Sequence, residues 1–180
     1  MQYDPPGSTY PVRELVARML YDSDNTAANM LIDHLGGFAP VNETMQQIGA
    51  TQTVLQRRMM DFEALAAGYD NLTSPADMAL LFQLLYTGAF PDAAGSQEII
   101  NALLQTTDRQ KIPAQLPPDV AVAHKIGTLP QVEHDAGIVQ LPGQPYILVL
   151  MSQELVSNAA GINTIATASR LVYDEIVNSP

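Results

Sequence analysis

Cysteine is absent from these 180 residues, and only eight of them are basic. Without cysteine there can be no disulfide and no thiolate zinc site, although any compartment stays possible. The cations Arg13, Arg18, Lys111, Lys125, Arg57, Arg58, Arg109 and Arg170 are scattered along the chain. Neutralising a phosphate backbone takes clustered cations, so nucleic acid is excluded as a partner. The net charge of -11 also disfavours anionic membrane surfaces. No apolar run approaches the ~20 residues that span a bilayer, so no membrane insertion is expected. His34, His124 and His134 lack metal-ligand spacing, and neither a metal nor a cofactor is expected. The opening MQYDPPGSTYPVREL has no basic segment leading into an apolar one, so it does not read as a signal peptide.

What is present is an ordinary globular composition, 47% hydrophobic and 15% charged. The apolar residues are spread evenly, and residues 1–180 read as a single domain. Val12, Leu15, Val16, Met19 and Leu20 recur at helical spacing over residues 11–21. After Asp22 and Ser23 a second helix, Asn25 to Leu35, stops at Gly36-Gly37. A third covers 38–48, followed by extended TQTVL and a long loop, RRMMDFEALAAGYDN. Ser74-Pro75-Ala76-Asp77 starts a helix, with Ser74 as cap and Asp77 returning the capping bond, and Gly88 ends it. A further helix is expected across Gln97 to Gln105.

After the proline-rich KIPAQLPPD the period changes to that of strands, at Val120–Ile126, His134–Gln140 and Tyr146–Met151. The last is almost wholly apolar and reads as a central strand wanting a neighbour on each side. A C-terminal helix with Ile162, Ile165, Ala166, Ser169, Val172 and Ile176 on one face could cover the sheet. The fold class is α+β, helices packed on an antiparallel sheet.

Two short segments present chemistry. The corner Tyr21-Asp22-Ser23-Asp24-Asn25-Thr26-Ala27-Ala28-Asn29 offers a hydroxyl, a carboxylate and an amide together, although its Ser-Asp-Asn taken alone reads as a helix N-cap. The segment His124-Lys125-Ile126-Gly127-Thr128 closes a strand with a lysine and a glycine that permits close approach of a ligand; alone it reads as a solvated strand end. In this order the pair resembles the class A β-lactamase and penicillin-binding serine hydrolases, whose motifs are S-x-x-K, S-D-N and K-T-G. VRELVARMLYDSDNTAANMLIDHLGG, DNLTSPADMALLFQLLYTG and HDAGIV resemble family segments too, so the likeness extends over the whole chain.

The resemblance implies a β-lactamase/transpeptidase-like fold and a role for each motif residue. Ser23 would relay a proton to the departing nitrogen. Asn25 would order substrate, Lys125 would draw its carboxylate, and Gly127 and Thr128 would bring a backbone N–H to the oxyanion. The sequence departs from the family in three ways. Position 108 is Asp and position 122 is Val, so neither lysine completes S-x-x-K. The N-terminal strands and nucleophile helix therefore read as absent from this chain. Met59 falls where the family's deacylating glutamate is expected, leaving Glu63 as the candidate base, with Arg57 or Arg58 as its alternative partner. Ile126 replaces the hydroxyl residue of K-T-G.

The function implied is a β-lactamase-like serine acyl hydrolase acting on a small-molecule amide or ester, its nucleophile upstream. The alternatives are an esterase or DD-peptidase relative, or a non-catalytic binding protein on the same fold. An N-terminal complementing segment or a homodimer is expected at the exposed sheet edge. The resemblance implies a periplasmic or secreted location.

Overall fold

A computed structural model describes residues 1–179. The chain folds as two compact units, the first Met1–Leu81 and the second from Phe82 onward.

In the first unit α1 (Val12–Tyr21) and α2 (Asn25–His34) meet at a tight corner. Asp24 caps α2, its carboxylate accepting from the Ala27 N–H at 2.9 Å, which satisfies one orphan donor. Helix α2 stops as its glycines suggest: Gly37 N–H reaches Ile32 O at 2.9 Å and Gly36 N–H reaches Asp33 O at 3.1 Å, with both glycines at positive φ. Helix α3 (Phe38–Gln47) follows. The stretch read as a continuous loop contains a short helix, α4 (Phe62–Ala66), capped by Asp61. Five residues give too few turns for a period to register.

Helix α5 (Pro75–Thr87) begins where Ser74 predicts, with the Ser74 hydroxyl accepting from the Asp77 N–H at 3.1 Å. Asp77 does not return the bond. Its buried carboxylate instead accepts from Gln52 N–H and Thr53 Oγ1, both at 2.8 Å, so a long-range tie replaces the local one.

In the second unit α6 (Ala93–Leu103) starts earlier than its apolar spacing suggests, because Asp92 caps it through Gly95 N–H. A 3₁₀ turn (Ile112–Gln115) leads to a three-stranded antiparallel sheet in the order β1-β2-β3: β1 Val122–Leu129, β2 Val132–Val139, β3 Tyr146–Ser152. Pairing continues to Leu129 opposite Val132, so Gly127 and Thr128 lie inside β1 and not at its end. Strand β3 is at the sheet edge and half-buried throughout, not central as its apolar run implied. Helix α7 (Asn158–Asn178) and the 3₁₀ turn cover one face, where Ile112, Leu116, Val120, Val122, Val139 and Ile165 form the core. Gly137 is required opposite His124: a Cβ there would stand 2.5 Å from Ala123 O and 2.6 Å from His124 Cβ.

Candidate functional site

Each unit carries part of the expected set. In the first, α1 ends at Asp22 and the chain reverses through Ser23 at φ +54°, a left-handed conformation that L residues other than glycine adopt at a cost of ~1–2 kcal/mol. The capping role that the isolated motif offered to Ser23 is taken by Asp24. Strain of this kind, held by surrounding structure, is a feature of functional corners.

Ser23 and Asn25 line a cavity of about 500 Å³ together with Asn29, Met59 and Met60. Asn29 lies one helical turn beyond Asn25, on the same face of α2. Its carboxamide clamps the Met59 peptide, donating to Met59 O at 3.0 Å and accepting from Met59 N–H at 2.8 Å. The sequence placed Asn29 in the corner segment but gave it no role, although its i,i+4 spacing from Asn25 was the available signal.

The loop bearing Met59 is closed at its neck. Arg57, 6% exposed, bonds Asp70 through Nε at 3.0 Å and the terminal nitrogen at 2.9 Å. The Asn71 side chain accepts from Gln56 and Arg57 N–H, and Val54 pairs with Leu72. Arg58 pairs with Asp33 on α2. The arginines offered as partners for Glu63 are thus engaged elsewhere. Glu63 is exposed in the first turn of α4 and is not among the residues lining the cavity.

In the second unit Lys125, Gly127 and Thr128 share β1. Lys125 is not a solvated strand-end lysine. It is partly buried and Nζ donates to Ile126 O at 2.9 Å. Burial lowers its pKa to about 8, with Asp135 opposing that shift and Lys111 reinforcing it.

Sheet pairing fixes which groups the strand presents. Ala121 O accepts from Gln140 N–H on the β2 side, so the odd positions turn their peptide groups inward and the even positions turn theirs to the open edge. His124 O obeys this parity, accepting from Thr106 Oγ1 outside the sheet. The N–H of Thr128 therefore faces the open edge of β1. The Ile126 side chain shares a face with His124, opposite to that of Lys125.

His124 is fully buried, bonded through Nδ1 to Asp135, so it is a core group. His134, opposite Gly127, is held below the ordinary histidine pKa chiefly by burial. Beneath the hairpin lies a buried ion pair that no local pattern announced, Lys111 with Glu133, each 1% exposed. Among the described residues no group of three or more His, Asp or Glu is arranged to hold a metal, and no helix is long and apolar enough to cross a membrane.

A profile of the beta-lactamase enzyme family matches residues 1–176. A beta-lactamase of Bacteroides uniformis is 28% identical, over 92% of this chain and 60% of its own length. One from Kitasatospora aureofaciens is 30% identical, over 91% of this chain and 54% of its own. Among solved structures, PBP-A superposes with a TM-score of 0.91 at 32% identity, covering 99% of this chain and 66% of PBP-A; a mutant of it was solved as an acyl-enzyme complex with penicillin G. The chain thus spans less than two thirds of the length of these relatives. With an α+β architecture and a family match over nearly its whole length, the chain belongs to the beta-lactamase enzyme family.

Proposed function

We propose that these residues are part of a serine acyl hydrolase that opens a β-lactam or a related small amide or ester through an acyl-enzyme, its nucleophile supplied from outside residues 1–180. The observation that carries the reading is the strained Ser23 corner, set with Asn25 in a cavity wall while Asp24 takes the capping role. In this scheme Ser23 passes a proton to the departing nitrogen and Asn25 donates to the substrate amide. Lys125 attracts the substrate carboxylate, while the Thr128 N–H, reached past the side-chain-free Gly127, stabilises the oxyanion. Both units belong to one catalytic domain in this reading, in keeping with a family match that runs through both.

One observation favours acylation with slow release over rapid turnover. The loop residues lining the cavity are Met59, its peptide clamped by Asn29, and Met60, and a thioether cannot take a proton from an attacking water. That behaviour is penicillin-binding, of the DD-peptidase type. Release through Glu63 is the competing route, and it requires the exposed carboxylate of α4 to reach the acyl group.

The experiment is to express the coding sequence with its upstream codons and mix the product with a fluorescent penicillin and, separately, a chromogenic cephalosporin. Covalent labelling that persists for many minutes with little turnover supports the scheme. Fast turnover abolished by Glu63→Gln would assign release to Glu63, and ligand binding without covalent labelling would make the fold a binding module. The outer edge of β3 is in the same reading the place where a complementing N-terminal segment or a second copy adds a strand. A monodisperse monomer of the 180-residue chain in solution scattering would contradict that. A periplasmic or secreted site of action follows from the family resemblance.

A further inference from the structure

Beneath the end of the β1–β2 hairpin lies a buried ionic cluster to which the proposed chemistry gives no part. The Lys111 ammonium bonds Thr128 Oγ1 at 3.0 Å, Gly127 O at 3.1 Å and His134 O at 3.2 Å, and pairs with Glu133. Glu133 accepts in turn from Thr128 Oγ1 at 2.9 Å and from Asn158 Nδ2 at 2.7 Å. The same Asn158 nitrogen reaches Leu129 O at 2.8 Å, so the start of α7 is tied to the hairpin as well. Burial alone would push the Glu133 carboxyl up. The bonds from Lys111, Asn158 and Thr128 outweigh it and hold the group below its ordinary value, hence ionised.

Stability does not explain such a cluster. Desolvating two ions is costly, and well-packed apolar residues of similar volume stabilise as well or better. What the cluster does achieve is local. The Thr128 hydroxyl accepts from Lys111 and donates to Glu133, so both of its roles are taken and its rotamer is fixed. The carbonyl of the preceding residue is held by the same ammonium. Both constraints fall on the peptide between Gly127 and Thr128, whose N–H faces the open edge of β1.

We propose that Lys111, with Glu133 as its counterion, is a positioning residue that fixes the Gly127–Thr128 peptide so that the Thr128 N–H is aimed at the developing oxyanion. The proposal rests on the acyl-transfer reading above, and it makes Lys111 act through the peptide without touching substrate.

The test compares wild type with Lys111→Arg and with Lys111→Met/Glu133→Leu, in which both charges are removed and none is left unpaired. In the longer protein, acylation by a fluorescent penicillin is resolved into a binding constant and a first-order acylation rate. The expected result for the folded double variant is a binding constant within about twofold of wild type and an acylation rate ~10–100-fold lower, the size expected from a small misplacement. Lys111→Arg should recover part of that rate. An unchanged acylation rate in a folded double variant would overturn the proposal. Should wild type not be acylated at all, the functional reading fails, and the structural half is decided on the 180-residue chain. There ¹⁵N relaxation of the double variant should show loss of order at Gly127 and Thr128 while Ala123 and Val139 stay rigid, and equal order throughout would refute it.

Discussion

Replacing Lys125 with methionine should stabilise this protein at neutral pH and lose that advantage in alkali. The folded-state pKa of about 8 lies some 2.5 units below the ordinary lysine value of 10.5, mainly because burial penalises the ammonium. At 1.36 kcal/mol per unit the charged side chain is disfavoured in the fold by about 3 kcal/mol, an upper figure because relaxation and water penetration reduce it. The unfolded chain binds more protons than the folded one between pH 8 and 10.5, so stability rises with pH across that window. Below pH 8 the whole penalty is present, and above 10.5 it is gone.

The Lys125→Met variant carries no such penalty, but it loses the hydrogen bond to Ile126 O, worth about 1 kcal/mol. The difference between the two proteins should therefore favour the variant by about 2 kcal/mol at pH 7 and favour wild type by about 1 kcal/mol near pH 10.5. Urea unfolding of both at half-unit intervals from pH 6.5 to 10.5 measures this, and subtraction cancels tyrosines such as Tyr146, whose pKa burial raises. Parallel curves, with a constant difference, would refute the view that Lys125 is a desolvated cation. The same titration bears on function: attraction of an anionic substrate should weaken as pH rises through about 8.

Three further outcomes follow from the geometry. Ser23→Gly should be more stable than Ser23→Ala by about 1 kcal/mol, because only glycine is unstrained at φ +54°; equal unfolding midpoints would deny the strain, and neither variant should relay a proton in acylation. Asn29→Leu should cut hydrogen-exchange protection of the Met59 amide ~10–100-fold by removing two bonds worth ~1–3 kcal/mol together, and unchanged protection would show that the loop is held by other means. Gly137→Ala should cost about 3 kcal/mol in thermal or urea unfolding, since its Cβ meets a backbone carbonyl that cannot move aside; a loss under 0.5 kcal/mol would mean the hairpin repacks freely.

The slow-release reading and the Lys111 proposal make different demands on acylation and release and can be separated. In the proposed scheme Met59 bears only on release of the acyl group, whereas the oxyanion that Lys111 serves forms in acylation and again in release. A Met59→Glu variant should shorten the life of the label and leave the labelling rate unaltered, whereas the double variant at Lys111 and Glu133 should slow labelling and lengthen the life of the label that forms.

Much of the fold was legible in the sequence because its signals are local. Period, Ser74-Pro75 and Gly36-Gly37 act within one or two turns of the chain, and they marked α1, α2, α3 and α5 to within a few residues. The hairpin strands were visible for the same reason, and the family motifs drew attention to Ser23, Asn25, Lys125, Gly127 and Thr128 from residue order alone. Only the tertiary structure decided what surrounds those residues. That Asp24 and not Ser23 caps α2, that Asn29 grips a peptide thirty residues away, and that Lys111 is buried against Glu133 are choices among partners, most of them distant in sequence. A side chain's type limits which bonds it can make. Which partner it meets depends on the packing of apolar surfaces elsewhere, and the strain at Ser23 exists only because that packing holds it.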